Sequence, residues 1–252
     1  MNLIDMHCHL DEKFYDNVYE LIEKSKKEMK FIVPAGIDKE SNRHVLKLAE
    51  KYPGFIKPAL GIYPPDALAV EDSSTKHFDI DKEVTFIEKN KDKIVAIGEV
   101  GMDFKHGKDK EMQESVFRKM IELAIKIDKP LIIHSRQAEK EVIDILEQYN
   151  YKKIIMHCFC GKYNLVKKIR ENDWYFTIPT SVVRDEHFQR IVKETSLYRI
   201  FTETDSPYLS PFKGEKNEPL NVKESIKIIA KLRNMSENEV ANVLYRSSKW
   251  LF

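Results

Sequence analysis

Short apolar runs rich in β-branched residues, each closing on a polar residue or a glycine, recur eight times along this chain. They are NLIDMHCH (2–9), FIVPAG (31–36), FIKPALG (55–61), IVAIGE (94–99), PLIIHS (130–135), KIIMHC (153–158), WYFTIP (174–179) and RIFTETD (199–205). Between them lie segments with apolar residues at i, i+3, i+4 and i+7, such as VYELIEKSKKEMK and KEMQESVFRKMIELAIKI. Eight strand–helix units in 252 residues predict an α/β fold of the (β/α)8 TIM-barrel type, with the functional site at the C-terminal ends of the strands. A doubly wound sheet is the alternative, and it would spread those strand ends along a line instead of gathering them in a ring. Two more helices are expected in the tail, VKESIKIIAKLRN and one opened by the capping-box pattern Ser236–Glu239.

Barrels of this length are ordinarily a single domain, so one domain, 1–252, is expected. Lys plus Arg number 42 and Asp plus Glu 41, so no global field draws the chain to nucleic acid or membrane, and an anionic substrate must be gripped locally. The Lys- and Glu-rich third of the sequence that is charged suits a solvated helical exterior and is a composition met in thermophiles. Cys8, Cys158 and Cys160 form no extracellular framework, no run of 18 apolar residues occurs, and a soluble cytoplasmic protein is expected.

The strand ends carry His7 and His9, then Gly36, the GIYPPD turn, Glu99, His134, His157, and Glu203 with Asp205. Side chains alternate along a strand, so His7 and His9 share one face and can converge on one ion. Each residue alone has an ordinary structural reading, as a hydrogen-bonded core histidine, a paired carboxylate or a helix cap. Five strand ends bearing such residues at one mouth would leave buried polar groups and like charges unneutralised without a cation. Imidazole and carboxylate donors with no required thiolate suit Zn, Mn, Co or Fe. Glu99, in the middle of the set, is placed to bridge two divalent ions about 3.5–4 Å apart, an arrangement that activates water for hydrolysis.

These residues resemble the TatD-like metal-dependent hydrolases, a branch of the amidohydrolase superfamily. The resemblance runs through DMHCHLD, GIYPPDA, GEVGMDF, HSR, HCFCG and ETDSPYL, in the family's order and spacing. It implies two divalent ions, among Zn, Mn, Mg and Co, with His7, His9, Glu99 and Asp205 around one and Glu99, His134 and His157 around the other. It also implies that Asp205 orients or deprotonates the attacking water, with Glu99 the second catalytic carboxylate. The expected activity is that of a deoxyribonuclease acting from a strand end. An ester or amide hydrolase, such as an aminoacyl-tRNA deacylase, is the alternative, and nucleic acid, DNA or a tRNA end, is the expected partner. An idle barrel that keeps metal only for stability is a third reading, against which Asp205 speaks.

The family usually has Gly-x-His-Pro where this chain has Gly61-Ile62-Tyr63-Pro64, and often a serine where Cys160 stands. Tyr63 can act as a neutral donor to a substrate oxygen, as a stacking platform for a base, or as a plain turn residue. Cys160 is expected to be packed and inert. Arg136, just past its strand, can fork onto a phosphate or pair with Glu99 or Glu203, itself a candidate substrate contact. Lys105, His106, Lys108 and Lys110 form either a solvated loop or a track for a nucleic-acid backbone, with Phe104, Tyr63 or Tyr208 as stacking rings.

Overall fold

A computed structural model of the chain describes residues 1–64 and 79–252, so Pro65 and Asp66 of the expected turn lie outside the described residues. The strands are β1 (Leu3–Cys8), β2 (Met29–Gly36), β3 (Ala59–Leu60), β4 (Ala96–Asp103), β5 (Leu131–Arg136), β6 (Ile154–Met156), β7 (Tyr175–Ile178) and β8 (Ile200–Thr202). They belong to one sheet in the order β1 to β8, the strand order of a (β/α)8 barrel, and the expected fold class holds. The helices are α1 (Val18–Lys26), α2 (Lys39–Lys51), α3 (Ile80–Lys89), α4 (Lys110–Lys126), α5 (Glu139–Leu146), α6 (Tyr163–Glu171), α7 (Glu186–Glu194), α8 (Val222–Arg233) and α9 (Glu237–Leu251).

The chain divides into two compact units, one of Met1–Pro34, Leu48–Lys57 and Tyr175–Phe252, the other of Ala35–Lys47 and Pro58–Trp174. In the first, β1 pairs in parallel with β2 and β7 with β8, and the Thr202 hydroxyl donates to Ile4 O at 2.8 Å. All six residues of β1 are buried, the polar Asp5 and His7 included. The tail helices form as expected, and Ser236 and Glu239 complete the capping box that opens α9.

In the second unit β3, β4, β5 and β6 pair in parallel. Strand β4 runs four residues beyond Glu99, the expected end, and finishes at Asp103. Gly101 makes this possible: at φ 140°, a Cβ there would lie 2.0 Å from the His134 carbonyl oxygen, so only glycine lets β4 and β5 approach so closely. The expected third strand shrinks to two residues, because Pro58 has no N–H to donate to a ladder. Arg136, expected just past its strand, is the last residue of β5 and pairs with Asp103.

Candidate metal centre

Alternation along β1 places Asp5, His7 and His9 on one face. In the first unit the imidazole Nε2 atoms of His7 and His9 each lie 3.5 Å from Asp205 Oδ1, and the two rings are edge to face at 4.9 Å. Two donors each about 2.1 Å from a tetrahedral ion stand about 3.4 Å apart, so these separations match shared coordination. Asp205 is set by its backbone. It has a left-handed φ of 53°, and its N–H donates to His7 O at 3.0 Å. The preceding Thr204 carbonyl accepts from the Asn217 side chain at 2.8 Å, and the same amide reaches Thr180 Oγ1 at 2.9 Å. Asn217 is fully buried inside the loop that follows β8.

Behind His7, buried Asp5 accepts from the N–H groups of His7 (3.2 Å) and Thr204 (2.9 Å) and meets the Thr204 hydroxyl at 2.5 Å. Burial pushes the Asp5 carboxyl up to about 8, against the opposing pull of the Thr204 bonds, and Glu203 adds to the rise. Glu203, one of the expected substrate contacts, is itself fully buried at the end of β8.

In the second unit, Glu99 Oε1 lies 2.7 Å from His134 Nδ1 and 3.5 Å from His157 Nε2, and ligand atoms of the three residues fall within 4.8 Å of one another. All three side chains are buried. His134 Nδ1 and Glu99 Oε1 are close enough to share either a proton or a cation. A buried ring nitrogen of this kind beside a carboxylate oxygen fits a shared cation.

The other ring nitrogen, His134 Nε2, lies 3.1 Å from Asp103 Oδ2, a residue the sequence reading left without a role. Asp103 Oδ2 also accepts from the Tyr63 hydroxyl at 2.6 Å and faces His106 Nδ1 at 2.9 Å, while Oδ1 accepts from the N–H groups of Lys105 and His106. Burial opposes ionisation of Asp103, but the bonds from His134, Tyr63 and His106 outweigh it and hold the carboxyl well below its usual range. Burial likewise opposes a charge on His134, yet Asp103 and Glu99 raise it to about 9. Gln113 of α4 fixes Asp103 in turn, accepting from its N–H at 2.7 Å and donating to its carbonyl at 3.1 Å.

Tyr63 is half-buried, with its ring edge-on to His134 at 5.1 Å, and burial followed by the Asp103 bond pushes its phenol well above the ordinary value. Arg136 is exposed at the end of β5. Among the expected stacking rings, Phe104 is covered by Lys110 at 4.2 Å, whereas Tyr208 is 53% exposed and lies 5.8 Å from Phe14 and 6.4 Å from His9. Cys160 corrects the expectation of packing: it is exposed, with Sγ donating to Cys158 O, because the turn after His157 carries its side chain outward.

Imidazole and carboxylate donors gathered at the strand ends of a (β/α)8 barrel are the equipment of a metal-dependent hydrolase. Relatives carry that description. The chain is 38% identical over 246 residues, 97% of its own length and 94% of the other's, to an uncharacterized metal-dependent hydrolase of Methanocaldococcus jannaschii. It is 34% identical, over its whole length and 95% of the other's, to the human deoxyribonuclease TATDN3. A TatD homolog from Escherichia coli shares the fold with a TM-score of 0.84 at 24% identity, covering 99% and 97% of the two chains. Residues 4–252 match the family described as TatD related DNase, and the chain belongs to that family.

Proposed function

We propose that this single 1–252 domain is a deoxyribonuclease that hydrolyses phosphodiesters from a strand end with two divalent ions, in the cytoplasm. In this reading His7, His9, Glu99 and Asp205 hold one ion and Glu99, His134 and His157 the other. The observation that carries it is the convergence of Glu99 Oε1, His134 Nδ1 and His157 Nε2, three buried side chains whose ligand atoms fall within 4.8 Å of one another. The name of the human relative supports the substrate class. The ions, of the Zn, Mn, Mg or Co type that such N and O donors take, supply Lewis acidity and a water acidic enough to attack at neutral pH.

The chain's own groups do the rest. Asp205 orients the attacking water and takes its proton, and Glu99 keeps the two donor groups in one centre. Arg136 presents paired N–H donors to phosphate oxygens, which a neutral ester does not offer. Tyr208 offers the exposed ring for a terminal base, since the Tyr63 hydroxyl is already committed to Asp103. Glu203 is a buried carboxylate whose charge adds to the rise at Asp5.

The test offers end-labelled single-stranded DNA and aminoacyl-tRNA in parallel to the metal-loaded protein, with Asp205→Asn as control. Release of nucleotides from DNA, abolished by the substitution, is expected. Deacylation of the tRNA with intact DNA would replace this reading with the ester-hydrolase alternative.

A further inference from the structure

Among the described residues, each group within hydrogen-bond distance of the Asp103 carboxylate is one that can donate to it. Two are backbone N–H groups, on Lys105 and His106, which can only donate, and both bind Oδ1 at 2.9 Å. Oδ2 is met by the Tyr63 hydroxyl at 2.6 Å, His106 Nδ1 at 2.9 Å and His134 Nε2 at 3.1 Å. A carboxylate in such company accepts from every neighbour, so the proton of each imidazole must sit on the nitrogen that faces it. For His134 that nitrogen is Nε2, so it is Nδ1, 2.7 Å from Glu99 Oε1, that would exchange its proton for a metal ion.

We propose that Asp103 is the positioning residue of the metal centre, fixing His134 in the Nε2–H tautomer so that Nδ1 is its metal-binding atom, and that Gln113 holds Asp103 for this task. The inference rests on the proposed metal centre, to which it adds a residue and a ligating atom. A ligating imidazole whose far N–H is bound to a carboxylate is oriented and made more basic. Gln113 supplies the rigidity: one amide side chain from α4 binds both the N–H and the C=O of Asp103, so the carboxylate cannot rotate away with its backbone. Tyr63 and His106 share the same oxygen but are not needed for the His134 contact. The chain therefore has one anion setting a ligand tautomer and two further donors steadying that anion.

An asparagine at position 103 has the same shape but cannot satisfy the site. With its amide nitrogen toward Oδ2, it meets three donors with a fourth; flipped, it sets its NH2 against two backbone N–H groups. The tautomer of His134 is then no longer fixed. Zinc affinity of Asp103→Asn should fall by about 10–100-fold, the usual effect of losing such a partner. Tyr63→Phe and His106→Ala, which leave the Asp103–His134 pair in place, should stay within a few-fold of wild type.

The decisive measurement needs no variant. Wild-type protein with 15N-labelled histidine is loaded with 113Cd, and coupling of the metal to each ring nitrogen is read by NMR. Coupling of His134 through Nδ1, with a proton on Nε2, is the expected result. Coupling through Nε2 overturns the inference while leaving the metal centre standing. Absence of any coupling to His134 overturns the metal-centre reading and the inference together. Zinc affinity of folded Asp103→Asn equal to wild type, measured by chelator competition with circular dichroism as the folding control, also overturns it.

Discussion

The two donor groups are held in opposite ways. His7, His9 and Asp205 are placed by main chain: two histidines by strand alternation, and the aspartate by a left-handed residue whose own N–H binds His7 O and whose neighbouring carbonyl is tied down by Asn217. Glu99, His134 and His157 come from three separate elements, and the one partner of His134 on its far side is a side chain, Asp103. Backbone placement makes a donor inseparable from folding, whereas side-chain placement leaves a group that can be loosened while the fold persists. Substitutions behind the first group should therefore appear as lost stability, and those behind the second as lost metal affinity.

The largest expected effect is at Asp205 itself. Asp205→Asn should lower turnover by about 10²–10⁴, the worth of general-base assistance, while the melting temperature stays near wild type. Metal content measured on the same sample separates a lost proton acceptor from a lost ligand, and unchanged turnover would remove Asp205 from the chemistry. Next in size, Arg136→Ala should raise KM for a phosphodiester by about 10-fold or more, since charge-assisted bonds are worth about 1.5–3 kcal/mol, with little change for a neutral ester. Equal losses on both substrates would deny Arg136 a role in reading phosphate.

Asn217→Ala sharpens the comparison directly. It strands Thr204 O in a buried place, while Thr180 Oγ1 keeps its bond to Leu209 O, and should cost about 1–3 kcal/mol in denaturant unfolding. A stable protein that had merely lost metal would show that the loop, like Asp103, acts as a removable support.

The pH dependence of the metal-free protein comes next. The Asp5 carboxyl is raised from 3.8 to about 8, so the folded state holds its proton more firmly than the unfolded one, and the stability this gives is complete below about pH 4 and is lost as pH rises toward 8. His134, raised from 6.5 to about 9, has the same sign: its contribution is full below 6.5 and lost through 9. Stability of the chelator-treated protein should therefore decline from mildly acid to alkaline pH, and Asp5→Asn should flatten the part below 8. Identical slopes in the two proteins would mean that Asp5 is ionised throughout. The smallest effect is expected at Tyr63→Phe, which removes one of five donors from Asp103 and should cost about 1 kcal/mol of stability.

What could be read in the sequence was whatever has a period. Alternation within NLIDMHCH put His7 and His9 on one face, and the recurrence of strand ends gathered Glu99, His134, His157 and Asp205. Asp103 escaped because the apolar run IVAIGE closes on Glu99, whereas β4 continues alongside β5 to Asp103 across Gly101, whose missing Cβ allows the close approach. Asn217 escaped because a loop has no repeat to mark which of its polar residues turns inward, and nothing in residues 210–219 sets this wholly buried side chain apart. Cys160 was misjudged by residue type alone, since thiols are usually buried and this turn exposes it. Periodicity thus finds the ligands, and only contacts between elements find what holds them.

In the proposed function Glu99 serves both ions, and metal stoichiometry tests this most directly. Elemental analysis of the wild-type chain after loading and exhaustive dialysis should give two ions per chain, and Glu99→Ala, folded by circular dichroism, should retain neither tightly. At most one ion in the metal-saturated wild type, or two ions kept by Glu99→Ala, would contradict it.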